Sequence, residues 1–282
     1  MALVTRQSGH MGGMRVNVSG TIDSLISGRK LHWRLDRGLR QIGRLKGVLY
    51  RNIVPGMPVG RTFIFCTSYI NDTERYKRWV DHVYPRRQAF GADSIFLIND
   101  GSDNIGFDSR LAIVDGEHDL PAQLLGDMAI VTFVERLGRP AMFCYPGWWR
   151  SFTYSVRIAR HFDFDKIIHI ESDAYVCSKR LADYLRSINR GWTVLWSKGY
   201  NFPETAIQVI CRDAYPSLAQ FADRKLSFFQ TSNRAAEYLF PFDKVENRFT
   251  GDRCGILDRA ARSQAFDYLA QVPPDWELHS DF

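Results

Sequence analysis

The chain reads as an α/β domain: a mixed, mainly parallel sheet flanked by helices, with a basic helical N-terminal arm. Three observations predict this. Short apolar runs rich in β-branched and aromatic residues recur along the chain. Between them lie stretches whose apolar residues fall at helical spacing, the rhythm of strand–helix–strand units. Several of the apolar runs stop abruptly at polar residues. In an open α/β sheet that places the chemistry at the carboxyl ends of the strands.

The elements follow in order. Residues 1–60 form a segment apart. Met1 to Gly13 reads as flexible sequence. From Arg29 to Arg51 come Arg29, Lys30, Arg34, Arg37, Arg40, Arg44, Lys46 and Arg51 against one acid, Asp36. Leu31, Leu35, Leu39, Ile42, Leu45 and Leu49 recur there at helical spacing, which makes a basic amphipathic helix. Such a helix docks on an anionic membrane surface, or packs on its own domain or a partner subunit. No nucleic-acid-binding motif accompanies it, so nucleic acid is not expected. Residues 61–282 read as one domain, with a nucleotide-binding half over 61–190 and an acceptor-binding half over 191–282.

Within that domain Thr62–Cys66 is the first strand, and Asn71-Asp72-Thr73 offers N-caps for a helix carrying Tyr76, Trp79, Val80 and Val83 inward. Ser94–Ile98 is the second strand, stopped by Asn99-Asp100-Gly101-Ser102-Asp103, and Ala129–Val134 the third. A helix over Ser151–Ala159 precedes the strand Ile167–Ile170, and another follows from about Ser178 to Ile188. Trp192–Trp196 and Ala206–Ile210 read as further strands, and Tyr215–Phe221 as a helix.

Composition bounds the function classes. The 282 residues are 45% hydrophobic and 24% charged, with net charge +6, as in an ordinary globular protein. Five cysteines, scattered and odd in number, include no Cys-x-x-Cys pair, so neither a disulfide framework nor a zinc ribbon is expected. A reducing cytosol fits that usage. No apolar run approaches the ~18 residues that span a bilayer, and no signal core opens the chain. The expected location is cytoplasmic, peripheral on the inner membrane face if the arm seeks lipid. No Gly-x-Gly-x-x-Gly follows the first strand, which disfavours a dinucleotide-binding dehydrogenase.

The strand Ile167–Ile170 ends in Glu171-Ser172-Asp173. Alternate residues of an extended chain share a face, so both carboxylates can point to one side as the strand leaves the core. Two carboxylates there repel and lose hydration unless a positive charge sits between them. A divalent cation holding a diphosphate is the common chemical reason for such a pair. Two other strand ends are polar. In Thr67-Ser68-Tyr69 the small hydroxyl residues allow close approach of a nucleotide, and Tyr69 offers a face for a base. Asp100 can bond a ribose hydroxyl or a base edge, and it also sits in an Asp-Gly turn. His169, inside the apolar strand, reads as a core histidine.

Asp165-Lys166-Ile167-Ile168-His169-Ile170-Glu171-Ser172-Asp173 resembles the Asp-x-Asp segment of GT-A-fold glycosyltransferases, with Glu in the first position. The resemblance covers roughly Thr62 to Asp173 well and Gly191 to Phe282 loosely. It implies a GT-A-like (Rossmann-like) sheet and transfer of a sugar from a nucleotide diphosphate donor, UDP-linked, to an acceptor hydroxyl. It implies Mn²⁺ or Mg²⁺ on Asp173 and Glu171, with His279 as a further ligand; Glu171 in place of the first Asp leaves a metal-independent reaction open. Thr67, Ser68, Tyr69, Asp100 and Glu171 would hold the nucleotide. Arg150 on the preceding helix would reach the donor phosphates, with Arg157 in reserve, since a guanidinium fits phosphate oxygens in a fork.

Trp148 and Trp149 line a sugar pocket or belong to the core, and at least one is expected in the core. Phe249-Thr250-Gly251-Asp252-Arg253 is similar to the family's late acidic segment near the acceptor and nominates Asp252 as catalytic acid residue, with Glu237 as competitor. A membrane-seeking arm would make the acceptor a lipid-linked glycan of bacterial surface synthesis. A nucleotidyltransferase and a non-catalytic sugar-nucleotide or glycan-binding module stay open as alternatives. Oligomeric state is left open.

Overall fold

The computed structural model describes residues 60–71, 73–102, 107–124, 126–231, 234–253 and 266–273. The basic arm and His279 lie outside these residues. The described chain is mixed α/β, with a mostly parallel eight-stranded sheet flanked by helices. The strands are β1 (Thr62–Ser68), β2 (Ser94–Asn99), β3 (Ala112–Asp115), β4 (Met128–Thr132), β5 (Lys166–Ile170), β7 (Trp192–Ser197), β8 (Phe202–Cys211) and β9 (Lys244–Glu246). They lie in the order β3-β4-β2-β1-β5-β8-β7-β9, and only β8 runs against the rest. A small second sheet joins β10 (Gly251–Asp252), β11 (Tyr268–Leu269) and β6 (Tyr175–Val176).

The pleat sorts the core into two layers. Ile64, Cys66, Ile95, Leu97 and Ile168 face one side. Helix α1 (Thr73–Arg86) covers them with Tyr76, Trp79, Val80 and Val83, which recur on one helical face. Helix α3 (Lys179–Ser187) adds Leu181, Ala182 and Leu185 to the same layer. Phe63, Phe65, Phe96, Ile98 and Ile167 face the other side and meet Trp149, Phe152, Val156 and Ala159 of α2 (Pro146–His161). Helices α4 (Tyr215–Ala222) and α5 (Leu226–Thr231) extend that second layer with Leu218 and Phe229.

Buried ends are satisfied locally. Ser178 caps α3 by accepting from the Leu181 amide at 3.3 Å. Lys166, itself buried, donates to the Arg186 and Ile188 carbonyls at 2.8 and 3.1 Å and closes the other end of that helix.

Differences from the expected elements have physical causes. Helix α2 starts at Pro146 rather than Ser151, because proline is preorganised for the first helical position and loses no hydrogen bond there. Strand β3 is an additional four-residue strand at the sheet edge, where Ile113 is 63% exposed. Strand β8 begins at Phe202, ahead of the expected Ala206, and its first half includes Pro203, Glu204 and Thr205. Strands β6, β10 and β11 are two residues long, too short to show any period. No helix among the described residues is long and apolar enough to cross a membrane.

Candidate active site

The order of strands turns at β1: the chain winds outward to β2 on one side and, after β4, returns to β5 on the other. A crevice opens beyond the carboxyl ends at such a switch point. Here it is a cleft of about 530 Å³, lined by Thr67, Ser68 and Tyr69 after β1, Asp100 after β2, and Glu171, Ser172 and Asp173 after β5. The register holds these ends level. Ser68 pairs with Asn99 across β1–β2, and the Asp100 amide donates to the Ser68 carbonyl at 2.8 Å.

Glu171 and Asp173 leave β5 together at the cleft floor. The Trp148 indole N–H donates to Glu171 Oε1 at 2.7 Å. Burial pushes the Glu171 carboxyl up from its ordinary range, and the negative charge of Asp173 pushes it further. Trp148 is held for that contact by stacking on Phe152, with ring centroids 4.7 Å apart. Its neighbour Trp149 is fully buried in the core. His169 has no exposed surface; its Nδ1 donates to the Thr205 carbonyl at 3.2 Å, and burial lowers the imidazole to about 3, so it is neutral.

Asp100 is buried and its carboxylate faces inward as much as outward. Oδ2 accepts from the Gly138 amide at 2.8 Å, and Oδ1 accepts from Arg150 Nη2 at 2.5 Å. The same Arg150 nitrogen donates to the Glu135 carbonyl, and the guanidinium lies 4.0 Å from the Phe133 ring centre. Arg150 therefore ties Asp100 to the loop of residues 133–145, and it is not among the residues lining the cleft. Arg157 donates to the His118 carbonyl at 2.9 Å, also away from the cleft.

Gly147 makes the Asp100 arrangement possible, since a Cβ there would stand 1.9 Å from Asp100 Oδ2 and 2.4 Å from its Cγ. Gly147→Ala should displace the carboxylate and cost about 1–3 kcal/mol, the usual penalty for overpacking. Thermal melting checks this; an unchanged Tm would mean that Asp100 steps aside at no cost.

A third acidic group comes from β8. Its pairing with β7 shifts register between Val194, opposite Gln208, and Leu195, opposite Glu204. Such a bulge re-aims side chains next to a cleft. Here it turns Glu204 and Thr205 toward Glu171, whose amide donates to the Ala206 carbonyl at 2.9 Å. Glu204 has no exposed surface, and Arg253 forks onto it with Nε at 2.7 Å and Nη2 at 2.9 Å. Arg253 Nη2 also reaches Glu237 Oε1 at 3.3 Å, and Thr205 Oγ1 donates to that same oxygen at 2.9 Å.

Behind this group the segment 266–273 returns along β6. The Val272 amide donates to the Asp173 carbonyl at 2.9 Å, and Arg78 Nη1 fastens the Pro273 carbonyl at 2.7 Å. Gln271, in the left-handed region at φ 56°, is thereby set at the cleft.

Among the nominated residues, Thr67, Ser68, Tyr69, Asp100, Glu171, Asp173 and Glu237 share this one cleft. Arg150 stands behind Asp100, and Asp252 is buried on β10, outside the cleft lining. Trp148, Glu204, Arg253 and Gln271 also line the cleft. For Glu204 the only sequence signal is a charged residue at the head of an apolar strand.

Glu171 and Asp173 fit a divalent cation by the chemistry of the donor set: hard carboxylate oxygens, side by side, whose mutual repulsion a cation relieves. Among the described residues no group of three or more His, Cys, Asp or Glu side chains is placed to hold a metal ion. A cation held by one or two carboxylates with substrate phosphates needs no larger protein cage.

No family model matches the chain, and no curated protein matches it. Solved structures do. One is a glycosyltransferase involved in the glycosylation of the major capsid of PBCV-1, at TM-score 0.42 and 9% identity, over 75% of this chain and 94% of that one. Another is a mannosyltransferase from Pyrobaculum calidifontis in complex with GDP-Man and Mn²⁺, at TM-score 0.40 and 12% identity. That match covers 74% of this chain and 60% of the mannosyltransferase.

Proposed function

We propose that the protein is a glycosyltransferase that moves a sugar from a nucleoside diphosphate donor to an acceptor hydroxyl. The observation that carries this reading is the convergence of three strand ends on one cleft, with Glu171 and Asp173 side by side at its floor. Thr67, Ser68 and Tyr69 border the space for the nucleoside. Asp173 and Glu171 would hold Mn²⁺ or Mg²⁺, which supplies positive charge to the departing diphosphate. The glycosidic bond to the diphosphate breaks, a bond forms to the acceptor oxygen, and the acceptor proton leaves to a base.

Glu237 suits that base better than Asp252, because it lines the cleft while Asp252 is buried on β10. Among the described residues Arg253 and Thr205 both donate to Glu237 Oε1, which orients the carboxylate so that Oε2 would take the proton. UDP is the first donor nucleotide to test, and a glycan, free or lipid-linked, the first acceptor class.

Calorimetric titration of UDP, GDP, CMP and ADP, with and without Mn²⁺, tests the reading. One diphosphate should bind at micromolar concentration, more tightly with Mn²⁺, and Asp173→Ala should weaken it by at least ~100-fold. Metal-indifferent binding would keep the nucleotide and remove the cation from the site. No binding of any nucleotide would sink the reading.

A further inference from the structure

The cleft lining holds five carboxylates, Asp100, Glu171, Asp173, Glu204 and Glu237, and three guanidiniums, Arg136, Arg139 and Arg253. Arg253 is engaged by Glu204 and Glu237, and Asp100 by Arg150. Arg136 and Arg139 are exposed, and among the described residues neither is ion-paired, although carboxylates share the cleft with them. They are held by aromatic faces and backbone instead. The Arg136 guanidinium carbon stands 3.7 Å over the centre of the Tyr69 ring. Arg139 Nη2 donates to the Met142 carbonyl at 2.8 Å, and its guanidinium lies 5.7 Å from the Tyr145 ring centre.

The loop that carries both arginines is pinned at its base. The Leu137 and Gly138 amides donate to Asp100, and the Glu135 carbonyl accepts from Arg150. The backbone there packs against Gly101, at φ 64°, where a Cβ would come within 2.6 Å of the Arg136 nitrogen. Two guanidiniums positioned without a carboxylate, beside a cleft floored by acids, are arranged for an anionic group that arrives from outside. A guanidinium meets phosphate oxygens with a fork of parallel donors.

We infer that Arg136 and Arg139 are the cations that bind the donor's diphosphate. Asp100 and Arg150 then act as positioning residues that hold their loop, rather than as direct contacts to the nucleotide. The inference rests on the nucleotide-sugar reading above and reassigns the phosphate contact within it. Arg136 is set at the end of β1 by Tyr69, next to the nucleoside edge of the cleft, and Arg139 lies farther along the same loop.

The test compares UDP, UMP and uridine, with GDP, GMP and guanosine as a second series. Each is titrated with Mn²⁺ into the wild type, Arg136→Gln, Arg139→Gln and the double variant. Each single variant should lose roughly tenfold or more for the diphosphate, and the double roughly 100-fold. The loss should shrink for the monophosphate and vanish for the nucleoside, with melting temperatures unchanged because both side chains are exposed. Wild-type diphosphate affinity in the double variant overturns the inference and leaves the nucleotide-sugar reading standing. An equal loss for the nucleoside also overturns it, by showing that Arg136 acts through Tyr69 on the base. A wild-type protein that binds none of the probes overturns both.

Discussion

Arg253→Ala is expected to destabilise the protein by about 3–5 kcal/mol, the range for removing one partner of a buried ion pair. Glu204 has no exposed surface, and the Arg253 side chain is only 16% exposed. Without the guanidinium the Glu204 carboxylate keeps, among the described residues, only the Ala206 amide as donor, at 3.1 Å. A buried charge with one neutral donor costs far more than the pair itself contributes. Equilibrium denaturation would measure the loss.

Two companions make the assignment specific. Glu204→Gln in the Arg253→Ala background should recover a large part of the stability, because it removes the stranded charge. Arg253→Lys should recover little, since one ammonium cannot reproduce the Nε and Nη2 fork. A loss below about 1 kcal/mol in Arg253→Ala would mean that water reaches Glu204 and the pair is worth no more than an exposed one. Glu237 would also lose its Arg253 contact, so the orientation of this proposed base depends on the same guanidinium.

Glu171→Gln should stabilise the protein near neutral pH while abolishing the proposed sugar transfer. The Glu171 carboxyl is raised by burial and by Asp173, so the folded chain holds a proton that the unfolded chain has already released. Wherever the folded state binds more protons, stability falls as pH rises. The window opens at the ordinary glutamate range, about pH 4.3, and runs upward to the raised value. Below it Glu171 costs nothing; above it both carboxylates are charged, and the repulsion is borne by the fold.

Glutamine keeps the Trp148 contact, because its carbonyl oxygen accepts the same indole N–H, and it places an amide rather than a charge beside Asp173. A gain on the order of 1 kcal/mol, or about 2–4 °C in Tm, is expected near neutral pH, disappearing under acid conditions. Denaturation between about pH 5 and pH 8 checks the sign, since the wild type should lose stability across that range and the variant should not. A divalent cation should reverse the wild-type trend and stabilise the variant less, since only the Asp173 carboxylate of the pair is left to hold it. A variant less stable than the wild type at every pH would show that the Glu171 charge is already compensated within the fold.

Much of the sheet was legible in the chain. Thr62–Cys66, Ser94–Ile98 and Ile167–Ile170 lie within β1, β2 and β5, because buried parallel strands are continuous apolar runs with sharp polar ends. Those same ends nominated Thr67, Ser68, Tyr69, Asp100, Glu171 and Asp173, and strands in parallel register bring their ends to one level without further information. Helix α1 was legible through the spacing of Tyr76, Trp79, Val80 and Val83.

The remainder was not legible, for reasons of distance and size. Glu204 and Arg253 are 49 residues apart and meet only because β8 runs antiparallel to β5 and bulges opposite β7. Gln271 reaches the cleft because the two-residue strand β11 lies between β6 and β10. Arg150 has the charge for a phosphate contact, but its direction is set by Asp100 and the Glu135 carbonyl, partners 50 and 15 residues away. Residue type and period therefore determined which strands form and which polar groups stand at their ends. Only the tertiary structure decided which charges neutralise one another and which remain to meet a ligand. An ion pair is fixed by separation in space, and neither local spacing nor composition carries that distance.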